Sequence, residues 1–499
     1  SRTFHHNAIL EPIIDGEDIL AGKHSNTQIP KFIGLARRYE LTGDEADKAG
    51  ALNFWDMMVH HHSYVTGGNG NHEYLGPPDQ LNLRLSDNTT ESCNVYNMLK
   101  LSEHIFQWSG DPEVMDFYER ALFNHIRSSQ HPHTGHVIYN LSLEMGGNKV
   151  YQDPESFTCC VGSGMENHSK YGRNIYYRNK NELYAVQFIA SELSWKEKGV
   201  KITQLTDFPE DETMTYDIET ERPVRFSFNI RYPLWARKGM QVLVNGAEQE
   251  IAVEPGSFVN IRRKWKTGDR VEVRIPFSLR IETMPDNQDR VAIFNGPVVL
   301  AGDLGPVPDP KRRDPHYVPV LMTSDKDLSK WLIPVTGKFN NFLLTEVAYP
   351  RQVELAPFYR THDRHYTIFW DTYTEEEWKA QQEAYALEQE RKLELDRRTI
   401  DLFRMGEMQP ERDHQFAEKD TWVEEYQHRK ARTADRGGWF SFKMNVKSDG
   451  PVNLSVEYWG GFTGSKTFDI LVDGQAIATE NIANKAPGKF IDVSYEIPA

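Results

Sequence analysis

Cys93, Cys159 and Cys160 are the only cysteines in this 499-residue chain. The first stands in Thr90-Glu91-Ser92-Cys93-Asn94, and the other two are adjacent in Phe157-Thr158-Cys159-Cys160-Val161-Gly162-Ser163-Gly164. Three thiols cannot build a disulfide scaffold. With Glu91 they make one carboxylate and three sulfurs, a ligand set suited to tetrahedral zinc. If the fold joins the two segments, a metal-held thiolate results, fit for chemistry or for structure. Bound zinc would keep one sulfur ionised at neutral pH without a histidine base.

Other readings of the same residues compete. Isolated buried cysteines commonly serve as small core hydrophobes, but an adjacent pair beside two glycines is poorly explained by packing. A structural zinc is normally closed by four Cys or His ligands at C-x-x-C spacing, whereas here the spacing is E-x-C and C-C. A redox protein with a vicinal Cys159–Cys160 disulfide would bind no metal, and nothing nearby resembles C-x-x-C. Glu73, in Gly70-Asn71-His72-Glu73-Tyr74, is a loop carboxyl that could be merely solvated. Placed near the sulfur it would serve as a general acid. Lys23-His24-Ser25-Asn26-Thr27-Gln28 gathers hydrogen-bonding groups at a helix start, more than capping alone requires. His60-His61-His62 resembles a metal tract, yet consecutive helical residues face different directions, so it reads as surface. Glu119, on a helix, and Tyr139, in a strand-like stretch, draw no notice by themselves.

The elements that must position these groups fall into a helical first part and a β-rich remainder. Residues 1–180 carry helical spacing over Pro30 to about Thr42, Glu45 to His61, Thr90 to Ser109, Glu113 to Ser129, and from a Ser163-x-x-Glu166 capping box to about Tyr177. Pro30 is placed in the first turn of its helix, and Thr90 and Ser163 as N-caps. Helices in succession predict an α/α toroid. Short alternating strands separated by turns predict a β-sandwich over 181–305. Residues 306–436 form a mixed accessory region that opens rich in Pro and Asp and carries a long charged helix over about 374–403. Residues 437–499 read as a second β-sandwich. The fold class is therefore multidomain α + β.

A net charge of −16 with dispersed basic residues argues against nucleic acid or an anionic membrane as partner. No run reaches the roughly 18–20 apolar residues of a membrane span, and the mean hydropathy is −0.63. The plentiful aromatics, 12% of residues, suit stacking on sugar faces as well as an ordinary core.

Together the segments resemble glycoside hydrolase families 127 and 146, the zinc-dependent β-L-arabinofuranosidases. The resemblance is carried by His24-x-Asn26-Thr27-Gln28-Ile29-Pro30, Thr66-Gly67-Gly68, Glu73, Glu91-x-Cys93, Glu119-Arg120-Ala121-Leu122-x-Asn124, Tyr139 and Cys159-Cys160. The runs from Cys160 to His168 and from Gly406 to His414 favour the 146-like branch. The resemblance implies a retaining exo-glycosidase that releases β-L-arabinofuranose from plant glycans. In it Cys159 is the nucleophile, Glu73 the acid and base, and the intermediate a thioglycosyl enzyme. It implies Zn2+ on Glu91, Cys93, Cys159 and Cys160, and sugar contacts from His24, Glu119 and Tyr139. It also implies an (α/α)6-type barrel of which this chain holds only the second half, and a last β domain that breaks off early. A piece of this kind can keep the zinc ligands and lack activity. The alternative function is a carbohydrate-binding protein with structural zinc. The polysaccharide substrate favours a periplasmic or extracellular location, and the oligomeric state is open.

Overall fold

The computed structural model describes residues 5–308, 317–323, 325, 327–426, 429–447 and 450–497. The chain divides into two compact units, Ser1–Leu393 and Glu394–Ala499. Part of the Pro- and Asp-rich stretch after residue 305 lies outside the described residues. Among the described residues, no helix is long and apolar enough to cross a membrane.

The first unit opens with six α-helices: α1 (Asn7–Ile14), α2 (Ser25–Thr42), α3 (Glu45–His61), α4 (Ser92–Ser109), α5 (Pro112–Ala121) and α6 (Cys159–Ser169). Their apolar faces meet in one core that includes Phe32, Phe54, Met58, Val95, Met98, Ile105 and Met115. Phe32 and Phe54 stack at 3.9 Å between ring centres, which ties α2 to α3. Gly43 and Gly110, both left-handed, end α2 and α4.

Several boundaries differ from the sequence reading. α2 begins at Ser25, so Pro30 falls in its second turn. Thr90 has a positive φ of 56°, and the residue flanking α4 is Glu91. The helix of Pro112 turns π-helical over Leu122–Ile126 and 3-10 over Arg127–Ser129. α6 starts four residues before the expected cap, because the Thr158 side chain accepts a hydrogen bond from Val161 N. The capping box at Ser163 therefore lies inside a helix, and Cys159 and Cys160 occupy its first turn.

A two-sheet sandwich follows. One sheet orders strands Tyr176–Arg178, Glu182–Ala185, Val224–Tyr232 and Ser257–Trp265; the other has six strands between Ser191 and Arg274. Trp195, Phe226, Phe228, Trp265 and Val271 fill the space between them. The strand Val224–Tyr232 alternates in sequence, yet seven of its nine residues are buried. Of its polar face only Arg225 meets water. Arg231, fully buried, is turned to α5. The expected sandwich over 181–305 is in fact two structures, since a separate sheet, of ten strands among the described residues, begins at Leu279 and runs to Tyr373. The long charged helix spans Glu375–Arg398.

The second unit contains three antiparallel strand pairs among its described residues. The strand Arg429–Ser441 crosses the boundary expected at 436/437, pairing with Ala417–Tyr426. Phe403 stacks on Phe442 at 4.2 Å. Arg432 lies over Phe416 and is paired with Glu411 at 2.6 Å. Glu411 also accepts from Gly406 N at 2.8 Å. The Gly406 to His414 run thus serves local structure.

Candidate metal centre and active site

The first turns of α4 and α6 bring the two cysteine segments together. Cys93 and Cys160 are buried, and Cys159 is exposed. The sulfurs of Cys160 and Cys93 are 3.3 Å apart, and those of Cys159 and Cys160 3.9 Å. Glu91 Oε1 lies 3.6 Å from Cys159 Sγ and 3.7 Å from Cys160 Sγ. All four ligand atoms fall within 4.8 Å of one another. A tetrahedron with metal–sulfur arms of about 2.3 Å has edges of about 3.8 Å, so the spacing fits one central ion. Three sulfurs and one oxygen suit zinc and not the hard, all-oxygen cations.

The surroundings support the same fit. Glu91 is 1% exposed, and its Oε2 is buried without a hydrogen-bond partner among the described residues. Burial, with Cys159 and Glu73 nearby, pushes its carboxyl well above the ordinary range. A buried carboxylate oxygen left unmatched needs a cation or a proton. Hydrogen bonds from Cys160 and Cys93 hold Cys159 far below the usual thiol value, down to about 2, against the opposing effect of burial. Burial first, then its thiol neighbours, pushes Cys160 up. The cluster concentrates its negative charge on the exposed sulfur.

Beside that sulfur stands the second functional group. Cys159 Sγ lies 3.7 Å from Tyr139 Oη, and Tyr139 Oη donates a short hydrogen bond to Glu73 Oε1. One tyrosine oxygen separates sulfur from carboxylate. Burial, with the Glu91 and Glu73 carboxylates beside it, holds the Tyr139 hydroxyl well above its usual value, so it remains a donor. His24 Nε2 approaches Glu73 Oε2 at 3.5 Å from the other side, and His24 Nδ1 is buried without a partner among the described residues. The tight loop holds Glu73 at a positive φ of 69° and His72 at 48°. Such backbone costs on the order of 1–3 kcal/mol per residue and persists only where its surroundings enforce it. Here Ser25 N donates to Glu73 O at 2.8 Å.

Cys159, Cys160, Cys93, Glu91, Glu73, Tyr139 and His24 therefore gather at one place. Glu119 does not join them through its hydrogen bonds. Its carboxylate receives Arg231 Nη2 and, at 2.7 Å, Trp235 Nε1, both from the sandwich. The neighbouring motif residues do related work. Arg120 is bidentate to Glu282 at 2.6 and 2.8 Å, and Asn124 grips Pro297 O and Val299 N. Gly67 passes so close to Ala121 that an added Cβ would lie 2.8 Å from its Cα. This motif fastens the helices to the sandwich and to the sheet that begins at Leu279. His60 and His61 are partly exposed and paired with acids, but His62 is 1% exposed and bonded to Asp18, contrary to the surface reading. Ser163, read as a cap, lies with Oγ 3.1 Å from Cys93 Sγ. Only its place one turn beyond the cysteine pair could have signalled that.

Comparison with known proteins agrees with this geometry. Residues 1–173 match the model of the β-L-arabinofuranosidase GH127 catalytic domain, and 182–277 that of the GH127 middle domain. Residues 394–499 match a family of unknown function. No curated protein matches by sequence. Similar solved structures include a glycoside hydrolase at 17% identity and a TM-score of 0.58, covering 71% of this chain and 67% of that one. A GH127 β-L-arabinofuranosidase from Geobacillus stearothermophilus T6 follows at 20% and 0.59, covering 74% of this chain and 63% of that one. A GH127 β-arabinofuranosidase gives 21% and 0.59, covering 72% and 62%. At these identities the structural likeness shows the fold. The chain spans about two thirds of each relative's length.

Proposed function

Because the chain belongs to glycoside hydrolase family 127, whose catalytic and middle domains it carries, we propose that it releases β-L-arabinofuranose from an arabinose-containing plant glycan with retention. The observation that carries this reading is the row Cys159 Sγ, Tyr139 Oη, Glu73 and His24 beside a four-ligand cluster. Glu91, Cys93, Cys159 and Cys160 would hold zinc, which when bound supplies the positive charge that keeps their thiols ionised.

Cys159 Sγ forms a bond to the anomeric carbon as the bond from that carbon to the leaving oxygen breaks. Glu73 gives its proton to that oxygen. In the second half Glu73 takes a proton from water. The water oxygen bonds the anomeric carbon, the carbon–sulfur bond breaks, and the thiolate returns. Tyr139 orients Glu73 from the sulfur side, and His24 from the other. A retaining scheme ordinarily uses two carboxyls about 5–5.5 Å apart; here a thiolate takes the place of one.

On this reading α1 to α6 belong to an (α/α)6-type toroid, and a polymeric plant substrate favours a periplasmic or extracellular setting. The test is a mechanism-based probe shaped like β-L-arabinofuranose, followed by intact-mass measurement and peptide mapping. One adduct on Cys159 is expected. A protein that binds arabinan yet forms no adduct and hydrolyses nothing would favour a carbohydrate-binding role.

A further inference from the structure

Of the four candidate ligands, the three cysteines sit within helical first turns, where backbone geometry fixes their direction. Glu91 does not. It flanks α4, makes no side-chain cap, and carries a longer side chain whose direction must be set by what it touches. Among the described residues its carboxylate lies against the sulfurs of Cys159 and Cys160 and receives a hydrogen bond from one amide. That amide is Asn26, in the first turn of α2, with Nδ2 3.4 Å from Glu91 Oε1.

Asn26 is itself directed. Asn97, in the second turn of α4, donates its Nδ2 to Asn26 Oδ1 at 2.8 Å. An amide has one accepting end and one donating end. With Asn97 donating to the oxygen, Asn26 presents its NH2 to the carboxylate. Turned over, it would present an oxygen to an oxygen and repel it. The order Asn97, Asn26, Glu91 therefore has a direction, and it bridges the starts of α2 and α4.

We infer that Asn26 and Asn97 are positioning residues of the metal centre, with Asn97 setting the sense of the Asn26 amide and Asn26 fixing the Glu91 carboxylate against the three sulfurs. The inference rests on the reading of the cluster as a metal site. Neither asparagine touches a sulfur through a hydrogen bond, so their effect passes through the carboxylate alone. Groups that orient metal ligands typically matter 10–100-fold for affinity.

The test measures zinc affinity by competition with a chromophoric chelator, the Co2+ absorption spectrum, and the melting temperature of the metal-free protein. The parent is compared with Asn97→Asp and Asn26→Ala. Asn97→Asp replaces the donor by an acceptor, so Asn26 turns over. We expect about 10–100-fold weaker zinc binding in both variants, altered Co2+ bands, and a metal-free melting temperature unchanged within about 2 °C. A loss under about threefold in both variants overturns the inference. So does a loss matched by an equal fall in metal-free stability, which a merely structural role would produce. Should Asn97→Asp fail to fold, Asn26→Ala decides alone. A parent that takes up neither metal overturns the reading beneath the inference, a result distinct from equal binding by parent and variants.

Discussion

Two buried clusters of charge lie in the helical region, and they are built on opposite plans. Around Glu119 every carboxylate oxygen has a partner: Arg231 reaches Glu119 and Asp116, Trp235 Nε1 takes the other Glu119 oxygen, and Leu234 N the other Asp116 oxygen. Around Glu91 the acid stands among three thiols, with one oxygen unmatched among the described residues and a carboxyl pushed well above its usual range. Full pairing of the carboxylate oxygens fastens α5 to the sandwich; a buried carboxylate oxygen left unpaired among thiols suits a cation. Both residues come from motifs that carry the family resemblance, so motif membership alone does not separate the two roles. Partner count does.

The largest effect that would sharpen this contrast is at the sulfur. Cys159→Ser should lower kcat on an aryl β-L-arabinofuranoside on the order of 10⁶-fold, as removal of a nucleophile does, with the fold retained by circular dichroism. Hydrolysis near the parent rate would break the assignment. Glu73→Gln should cost about 10²- to 10⁴-fold, less for a leaving group such as 4-nitrophenolate that needs no proton. Equal losses for good and poor leaving groups would count against the acid role.

The other cluster should answer in stability. Arg231→Met leaves Asp116 and Glu119 buried without their cation and should cost about 3–5 kcal/mol by denaturant unfolding, while zinc affinity per folded molecule stays within about twofold. A changed affinity would mean that the two clusters are one. A smaller effect is expected at the Arg120–Glu282 link. Burial would raise Glu282, but Arg120 and Arg280 overcome it and hold the carboxyl down at about 2, below its ordinary 4.5. A depressed folded value gives stability that is present above pH 4.5 and lost as pH falls toward 2. Glu282→Gln should remove on the order of 2 kcal/mol of that acid dependence. An unchanged profile between pH 4.5 and 2 would contradict it.

The contrast also explains what could be read from the residues alone. The thiol site was legible because cysteine is scarce here and an adjacent pair has few uses in packing. Glu119 was not, because its partner Arg231 is 112 positions away and sits on a strand whose alternation looks solvent-facing. The start of α6 was misread since Thr158 and Ser163 both offer caps, and only the contact of Ser163 with Cys93 shows which is spent elsewhere. The sandwich boundary failed for another reason. Strands of one sheet and the next look alike in sequence, and what divides them at Leu279 is hydrogen-bonded pairing.

X-ray absorption at the zinc K-edge, on protein purified without chelator and loaded with one equivalent, reads the neighbours of the ion at the Glu91, Cys93, Cys159 and Cys160 cluster. Three sulfur neighbours at about 2.3 Å and one oxygen at about 2.0–2.2 Å are expected, with one sulfur lost in Cys159→Ser. A neighbour set of nitrogen and oxygen alone, or no zinc retained, would contradict the reading of this cluster as a zinc site.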